Sequence, residues 1–561
     1  MKLSGSDIIV RTLIEQGVDT VFGYPGGQIL NVYDSLYKYR DEILHVLTAH
    51  EQGAAHAADG YARATGKPGV VFATSGPGAT NLVTGIATAY LDSVPMIAIT
   101  GNVPTYQLGT DSFQEIDITG ITLPITKHNY IVGSVEELAD TIREAFRLSV
   151  SGRPGPVLID VPKDIQIASC EYTQQEPAEA EPRRPAKDIR IEAAAECINQ
   201  SQRPFIYFGG GLINSGAQEE LYELAERLDA PIGCSLMGIS GIPTDHPRFL
   251  GMQGMHGHYA CSMSMHKADC IISLGVRFND RATGNRSKFA TNAKVIHIDV
   301  DGAELDKTVN AAHSMRGDLK LTLQKLLPLL AQKKLPEWRR TIEGLKFEEK
   351  QVTDSREGLT PRAAMLELNK RLGENTPVAT DVGQHQMWAA QSLSFRKTRR
   401  FISSGGLGTM GFGMGAAIGA SFATKERAVL VTGDGGFGMC LNELATAVTY
   451  KVPLVILVMN NGVLGMVRQW QTLFFDKHYS NTVLNRKTDF VALAKAFGAD
   501  GARASTIGEL GSALDKAFSC EGPFVVECMI DKDEFVLPML PPGGSMDDII
   551  TKVDIGGEQD D

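Results

Sequence analysis

The chain is 561 residues long, 43% hydrophobic and 21% charged, with a formal net charge of −12. That length predicts about three to four domains of ordinary size, and the acidic balance argues against non-specific nucleic-acid binding. Eight scattered cysteines without a CxxC pair point to reduced thiols rather than a zinc site or a disulfide framework. The first residues, MKLSGSDIIVRTLIEQG, read as an amphipathic helix rather than a targeting peptide. No apolar run approaches the roughly 20 residues that span a bilayer, so a soluble, cytoplasmic protein with no membrane partner is expected.

Composition breaks twice. Residues 171–188 (EYTQQEPAEAEPRRPAKD) are rich in Pro, Glu and Gln, as a surface linker is. Residues 332–360 are charged, with one helical stretch and few core-forming residues. Elsewhere short Val/Ile runs alternate with amphipathic stretches. The runs are 69–74, 95–100 and 156–160 in a first segment (1–170), and 204–210 and 294–300 in a second (189–331). A third segment (361–535) has 428–432, 453–459 and 524–528. The pattern predicts an α/β fold of three doubly wound parallel-sheet domains. A tail, 536–561, carries Pro and Gly hinges and is a candidate for closing over a site.

In the first segment a short strand runs into a helix with Glu51 in its first turn. Gly76-Pro77-Gly78 then forms a tight turn at a strand end and is expected to open a helix at Asn81. In the second, FGGGLIN (208–214) follows a strand but lacks the GxGxxG order of dinucleotide turns. The third holds the strongest pattern: Gly433-Asp434-Gly435-Gly436, then Asn460-Asn461, with 24 residues between Gly435 and Asn460. Strand 428–432, helix 439–450 and strand 453–459 set Asp434 and Asn461 at the carboxyl ends of neighbouring parallel strands, where open α/β sheets bind ligands. The glycines let backbone N–H groups approach a diphosphate, and an acid plus an amide oxygen suits Mg²⁺, which keeps few protein ligands.

The GDG…NN spacing resembles the signature of thiamine diphosphate (ThDP) enzymes. That resemblance implies Mg²⁺ ligation by Asp434, Asn461 and the carbonyl of Val463, with Gly433, Gly435 and Gly436 at the diphosphate. DVGQHQ (381–386) matches the diphosphate-side loop and brings Val382, Gly383, Gln384 and His385. Met410, with Gly408 nearby, matches the apolar prop under the bent cofactor. Residues 45–66 and 74–101 look like the pyrimidine-binding domain, with Gly27 on the same side and Glu51 at the position of the activating glutamate. A carboxyl bonded to N1′ of the aminopyrimidine lets the cofactor deprotonate its own thiazolium C2. Because the family pairs the pyrimidine domain of one subunit with the diphosphate domain of another, a homodimer or tetramer with sites at the interface is expected.

FGGGLIN, GMQGMHG (251–257), LGVRFNDRATG (274–284) and HIDVD (297–301) resemble the FAD-binding domain of acetohydroxyacid (acetolactate) synthases. The flavin set so implied is Arg153, Gly209, Gly210, Ser235, Leu236, Met255, His256, Gly275, Arg277, Asp280, Arg281, Asp299, Val300 and Asp318, with Asp299 on a ribose hydroxyl. Asn279 departs from the usual RFDDR. GTDSFQEID (109–117), VPKD (161–164) and NNGVLGMVRQWQ (460–471) extend the resemblance to the biosynthetic catalytic subunit over essentially the whole chain. Phe113 and Gln114 are then expected to face substrate and Lys163 to line the entrance. Arg281 is expected to bind the second 2-ketoacid's carboxylate, and Trp470 with Met466 to favour 2-ketobutyrate over pyruvate. The implied reaction decarboxylates pyruvate and joins the hydroxyethyl unit to pyruvate or 2-ketobutyrate, giving 2-acetolactate or 2-aceto-2-hydroxybutyrate, with FAD structural and a small regulatory subunit as partner. A flavin-free catabolic acetolactate synthase and a pyruvate oxidase are the alternatives.

Overall fold

Three six-stranded sheets, each with only parallel neighbours, organise the structure, a computed structural model that describes residues 1–353 and 358–553. The first runs Leu44–Leu47, Thr20–Gly23, Gly69–Ala73, Met96–Asn102, Pro156–Pro162, His128–Ile131 in spatial order. The middle sheet runs Phe249–Met252, Ile232–Cys234, Pro204–Phe208, Cys270–Leu274, Lys294–Asp299, His313–Arg316. The third runs Phe401–Ile402, Val378–Thr380, Ala428–Gly433, Leu454–Asn460, Phe524–Met529, Asp500–Ala504. Numbered by chain position within each sheet, the first and third share the order 2-1-3-4-6-5, whereas the middle reads 3-2-1-4-5-6, the order of dinucleotide-binding folds. Parallel neighbours require crossovers that cover both faces, which is why the residues from Leu454 to Met459 form one unbroken buried apolar run. The fold is thus the expected α/β arrangement of three doubly wound parallel sheets.

Seven helices position the site and brace the units around it. Helix α1 (Gly5–Glu15) is capped by the Ser4 side chain, which accepts the Asp7 N–H at 3.2 Å. Helix α2 (Glu51–Thr65) leaves the first sheet. Helix α3 (Pro336–Thr353) lies in the charged stretch 332–360 yet buries Trp338 and Ile342 against the middle unit. The Trp338 indole N–H donates to the Pro204 carbonyl at 3.0 Å, so this connector is a brace. In the third unit lie α4 (Phe412–Thr424), α5 (Asp434–Cys440), α6 (Glu443–Thr449) and α7 (Gly465–Phe474). The single helix expected over 439–450 is two: the first already starts at Asp434 and ends at Cys440, and the second runs from Glu443 to Thr449.

Alanine-rich α2 packs directly on α4, joining the first and third units within one chain. A Cβ at Gly60 would lie 2.1 Å from the Ala416 oxygen, and one at Gly419 would lie 1.8 Å from the Ala57 oxygen. The absence of side chains is what lets these backbones approach. The connector 171–188 is pinned as well: Glu15 accepts from the Tyr172 hydroxyl at 2.8 Å and the Gln175 N–H at 2.9 Å.

Candidate active site

Glu51 is the first residue of α2, immediately past the strand Leu44–Leu47, and His50 caps the helix by accepting the Gln52 N–H at 3.0 Å on Nδ1. The Asn81 amide donates to Glu51 Oε2 at 2.9 Å, and a Cβ at Gly78 would stand 3.2 Å from Glu51 Oε1. The helix expected from Asn81 opens earlier, at Pro77, since proline suits a first helical position. Gly76, at φ +58°, backs onto Gln114. Thr74 lies against Gly26 and Gly78 and accepts the Gln28 N–H at 3.2 Å. Lys163 donates to the Gly27 carbonyl at 3.3 Å. Glu51, Gln114, Gly27 and Lys163 are therefore gathered at the carboxyl ends of the first sheet. Phe113 stands 83% exposed beside them.

Asp434 opens α5 at the end of Ala428–Gly433, whose parallel neighbour Leu454–Asn460 leads into Asn461. Burial pushes the Asp434 carboxyl up to about 6, against the pull of backbone N–H groups that include those of Asn461 and Gly462. The metal candidates Asp434 and Asn461 thus meet as their spacing predicts. The Asn461 amide donates to Gln384 Oε1 at 3.3 Å, and its oxygen accepts the Val463 N–H at 3.2 Å. His385 is buried beside Gly383 and Gly433, its Nε2 lacks a partner, and burial holds its pKa down to about 3. A neutral imidazole N–H free to donate fits a phosphate oxygen. Gly435 and Gly436 lie in the first turn of α5, and the Met410 side chain reaches Gly435. Sequence reading missed Asp381, whose buried carboxylate accepts the Gly411 N–H at 3.0 Å and the Gly413 N–H at 3.0 Å and so fixes the Met410 turn. Its signal was an acid at a strand end.

A cleft of about 2220 Å³ runs from the middle unit to the third, with Leu91, Ser93 and Arg153 of the first unit also on its wall. Of the flavin candidates, all but Gly209 line it: Arg153, Gly210, Ser235, Leu236, Met255, His256, Gly275, Arg277, Asp280, Arg281, Asp299, Val300 and Asp318. Gly209 sits just behind, where a Cβ would meet the Gly275 oxygen at 2.5 Å. These glycine turns follow Pro204–Phe208 and Cys270–Leu274, the neighbouring strands at which the sheet order reverses. Asp299 is buried and pushed up to about 6 by that burial, and His256 keeps an unpartnered Nδ1. Asn279, the departure from RFDDR, caps Asp280–Thr283 by accepting the Ala282 N–H at 3.0 Å, a task aspartate performs equally. From the third unit, Val382, Gly383, Gly408, Met466 and Trp470 reach the same cleft. There the Arg281 guanidinium lies over the Trp470 ring and its Nη1 approaches Met255 Sδ at 3.8 Å. Glu51, Gly27, Phe113, Gln114 and Lys163 do not line this cleft.

The tail begins buried, with Val536, Met539 and Leu540 at most 1% exposed. On α7, Gln469 Oε1 accepts the Val536 N–H at 2.9 Å while its amide donates to the Val536 carbonyl at 3.1 Å. Gln384 donates to Gln469 Oε1 at 3.0 Å and to the Glu534 carbonyl at 2.9 Å. The Leu540 N–H then donates to Met255 O at 2.7 Å, beside the cleft. The tail's last residues, 554–561, lie outside the described residues. Among the described residues no helix is long and apolar enough to cross a membrane, and all eight cysteines are free.

Three family models match the chain: the N-terminal TPP binding domain of thiamine pyrophosphate enzymes over residues 3–121, their central domain over 191–326, and their C-terminal TPP binding domain over 381–528. A probable acetolactate synthase large subunit of Methanocaldococcus jannaschii is 44% identical, the alignment covering 98% of this chain and 96% of that protein. The Escherichia coli acetolactate synthase isozyme 3 large subunit is 42% identical over 98% of each chain. The isozyme 2 large subunit of the same organism is 44% identical over 98% of this chain and all of its own. With three matching domains and near-complete coverage of its relatives, the chain belongs to the thiamine pyrophosphate enzymes and, among them, to the acetolactate synthase large subunits.

Proposed function

We propose that the chain is the catalytic subunit of a biosynthetic acetohydroxyacid synthase, making 2-acetolactate from two pyruvates or 2-aceto-2-hydroxybutyrate from pyruvate and 2-ketobutyrate. One observation carries this reading: Arg281 from the middle unit lies 5.4 Å from the Trp470 ring centre on α7. A guanidinium fork for a carboxylate beside a flat apolar wall is what a second 2-ketoacid needs.

Bound ThDP supplies the acidic C2–H and the electron sink for decarboxylation. The chain's own groups bind and orient. Asp434, Asn461 and the Val463 carbonyl would hold Mg²⁺ beside the diphosphate, a site with few protein ligands as that ion prefers. His385, the backbone N–H of Gln384 at the start of its helix and the glycines of α5's first turn would meet the phosphate oxygens. Glu51 would present its carboxyl to the aminopyrimidine, and Met410 would give the cofactor an apolar support. Gln114, Phe113 and Lys163 form the substrate approach. The clustering of Glu51 at the first sheet and Asp434 at the third, with only the latter's surroundings reaching the cleft, favours sites completed between two copies of the chain, as a homodimer or tetramer.

The middle unit is the FAD site. Its strand order, the glycine turns at the reversal point and the unpartnered His256 Nδ1 fit a dinucleotide. No net oxidation occurs in the carboligation, so the flavin's part is structural. The relatives are named large subunits, which supports a smaller regulatory partner, and the absence of any apolar spanning helix among the described residues suits a cytoplasmic location.

The test is product analysis from pyruvate plus 2-ketobutyrate with ThDP, Mg²⁺ and FAD. Both acetohydroxyacids and stoichiometric yellow flavin are expected. Acetolactate alone from colourless protein would favour the catabolic enzyme, and pyruvate-driven flavin bleaching at turnover rate would favour an oxidase.

A further inference from the structure

Glu443 has no part in the chemistry above, yet it is 1% exposed. It opens α6, the helix after the one that starts at Asp434, but its carboxylate crosses to the first unit. Oε2 accepts the Ala49 N–H at 3.1 Å and Oε1 accepts the His50 N–H at 3.0 Å, while the Thr446 hydroxyl donates to Oε2 at 2.7 Å. Ala49 and His50 are the two residues before Glu51. A carboxylate that takes two successive amides at a helix entry fixes the path of the chain into that helix, and its charge meets the positive end of the helix dipole.

The neighbourhood is built around this contact. A Cβ at Gly53 would lie 2.1 Å from Glu443 Oε1, so that glycine keeps the space open. The Tyr450 hydroxyl, just past α6, accepts the Leu47 N–H at 2.8 Å. Strand end and helix entry are both gripped from the third unit. A buried acid is costly unless its oxygens are bonded, and here every observed bond serves the approach to Glu51 or orients the carboxylate itself. Burial pushes the Glu443 carboxyl upward, opposed by those hydrogen bonds.

We propose that Glu443 is a positioning residue for Glu51, setting where the Glu51 carboxyl stands and tying it to the helix pair that begins at Asp434. The proposal rests on reading Glu51 as the acid that meets the aminopyrimidine. A displacement of about 1 Å at a reacting group costs on the order of a hundredfold in rate, so a fixed helix entry has kinetic value beyond stability.

The test compares Glu443→Gln with Glu51→Gln in the full-length protein loaded with ThDP and Mg²⁺. Hydrogen–deuterium exchange at C2 of bound ThDP is measured by quenched-flow NMR per bound cofactor, beside amide exchange over residues 49–53 in ligand-free protein. Glu443→Gln leaves one of the two amides without its acceptor. Expected are C2 exchange slowed roughly tenfold or more, faster amide exchange at residues 49–50, and ThDP affinity little changed. A purely structural part for Glu443 would alter the amide exchange and leave C2 exchange per bound cofactor at the wild-type rate, and that result overturns the proposal alone, provided Glu51→Gln is slow. Wild-type exchange in Glu51→Gln overturns the reading of Glu51 and the proposal with it. If Glu443→Gln does not fold, Gly53→Ala, which crowds the same carboxylate, and Thr446→Val, which removes its hydroxyl partner, are read by the same criteria.

Discussion

The Arg281 guanidinium lies 5.4 Å from the centre of the Trp470 ring, which itself meets Phe474 edge-on at 5.6 Å. A cation over an indole face is attracted to it, so Arg281, the proposed carboxylate binder, and Trp470, the proposed wall of the acceptor pocket, hold each other in place across two units. Trp470→Leu is expected to leave acetolactate formation near its wild-type rate while the preference for 2-ketobutyrate falls roughly tenfold, the scale of one methylene in an apolar pocket. Competition between the two acceptors, read from the product ratio, checks this; an unchanged ratio contradicts it.

Replacing Glu51 by Gln removes the acid but keeps the amide partner Asn81 within reach. Turnover is expected to fall by roughly 10²–10⁴-fold, the usual worth of a positioned acid or base, with the thermal unfolding midpoint little moved. Steady-state kinetics with saturating ThDP, beside a melting curve, distinguishes this from misfolding.

Gln469 pairs both backbone groups of Val536 and also meets Gln384, which bonds Asn461. Gln469→Leu leaves those backbone groups buried without partners, a cost of about 1–3 kcal/mol. The tail from residue 534 onward is expected to exchange its amides faster and to be cut sooner by protease, whereas the strands of the third sheet keep their protection. Peptide-level hydrogen exchange reads both at once.

Glu15 gives a pH dependence. Its burial opposes ionisation, but hydrogen bonds from Arg143, the Gln175 amide and Tyr172 outweigh that and bring its pKa from 4.5 to about 2. A carboxyl lowered on folding stabilises above its unfolded value, and the contribution is lost as pH falls from 4.5 through 2. Glu15→Gln is therefore expected to melt lower at pH 7, with the gap to wild type narrowing once pH drops below 4.5. Melting curves between pH 7 and pH 4 check the sign.

The alternation of Val/Ile runs made the three parallel sheets legible, because strands buried on both faces carry an unmistakable apolar signature. Asp434 and Asn461 were legible through spacing, since adjacent strand ends bring them together without help from distant sequence. The middle unit, the proposed flavin site, was weaker in the sequence: FGGGLIN has no dinucleotide fingerprint, and only the strand order 3-2-1-4-5-6 sets its turn at the reversal point beside Gly275. Glu443 and Gln469 were invisible because each acts on a backbone group far along the chain, and no local pattern marks such a pairing. The helix Pro336–Thr353 hid its Trp338 anchor behind its charge.

The glycine and alanine contact between α2 and α4 has a mechanical consequence. Gly60 and Gly419 cannot gain a single carbon without driving backbones apart, so a methyl group at either position would shift Glu51, at the start of one helix, relative to the Met410 turn that leads into the other. In the proposed two-copy arrangement those ends serve different catalytic centres.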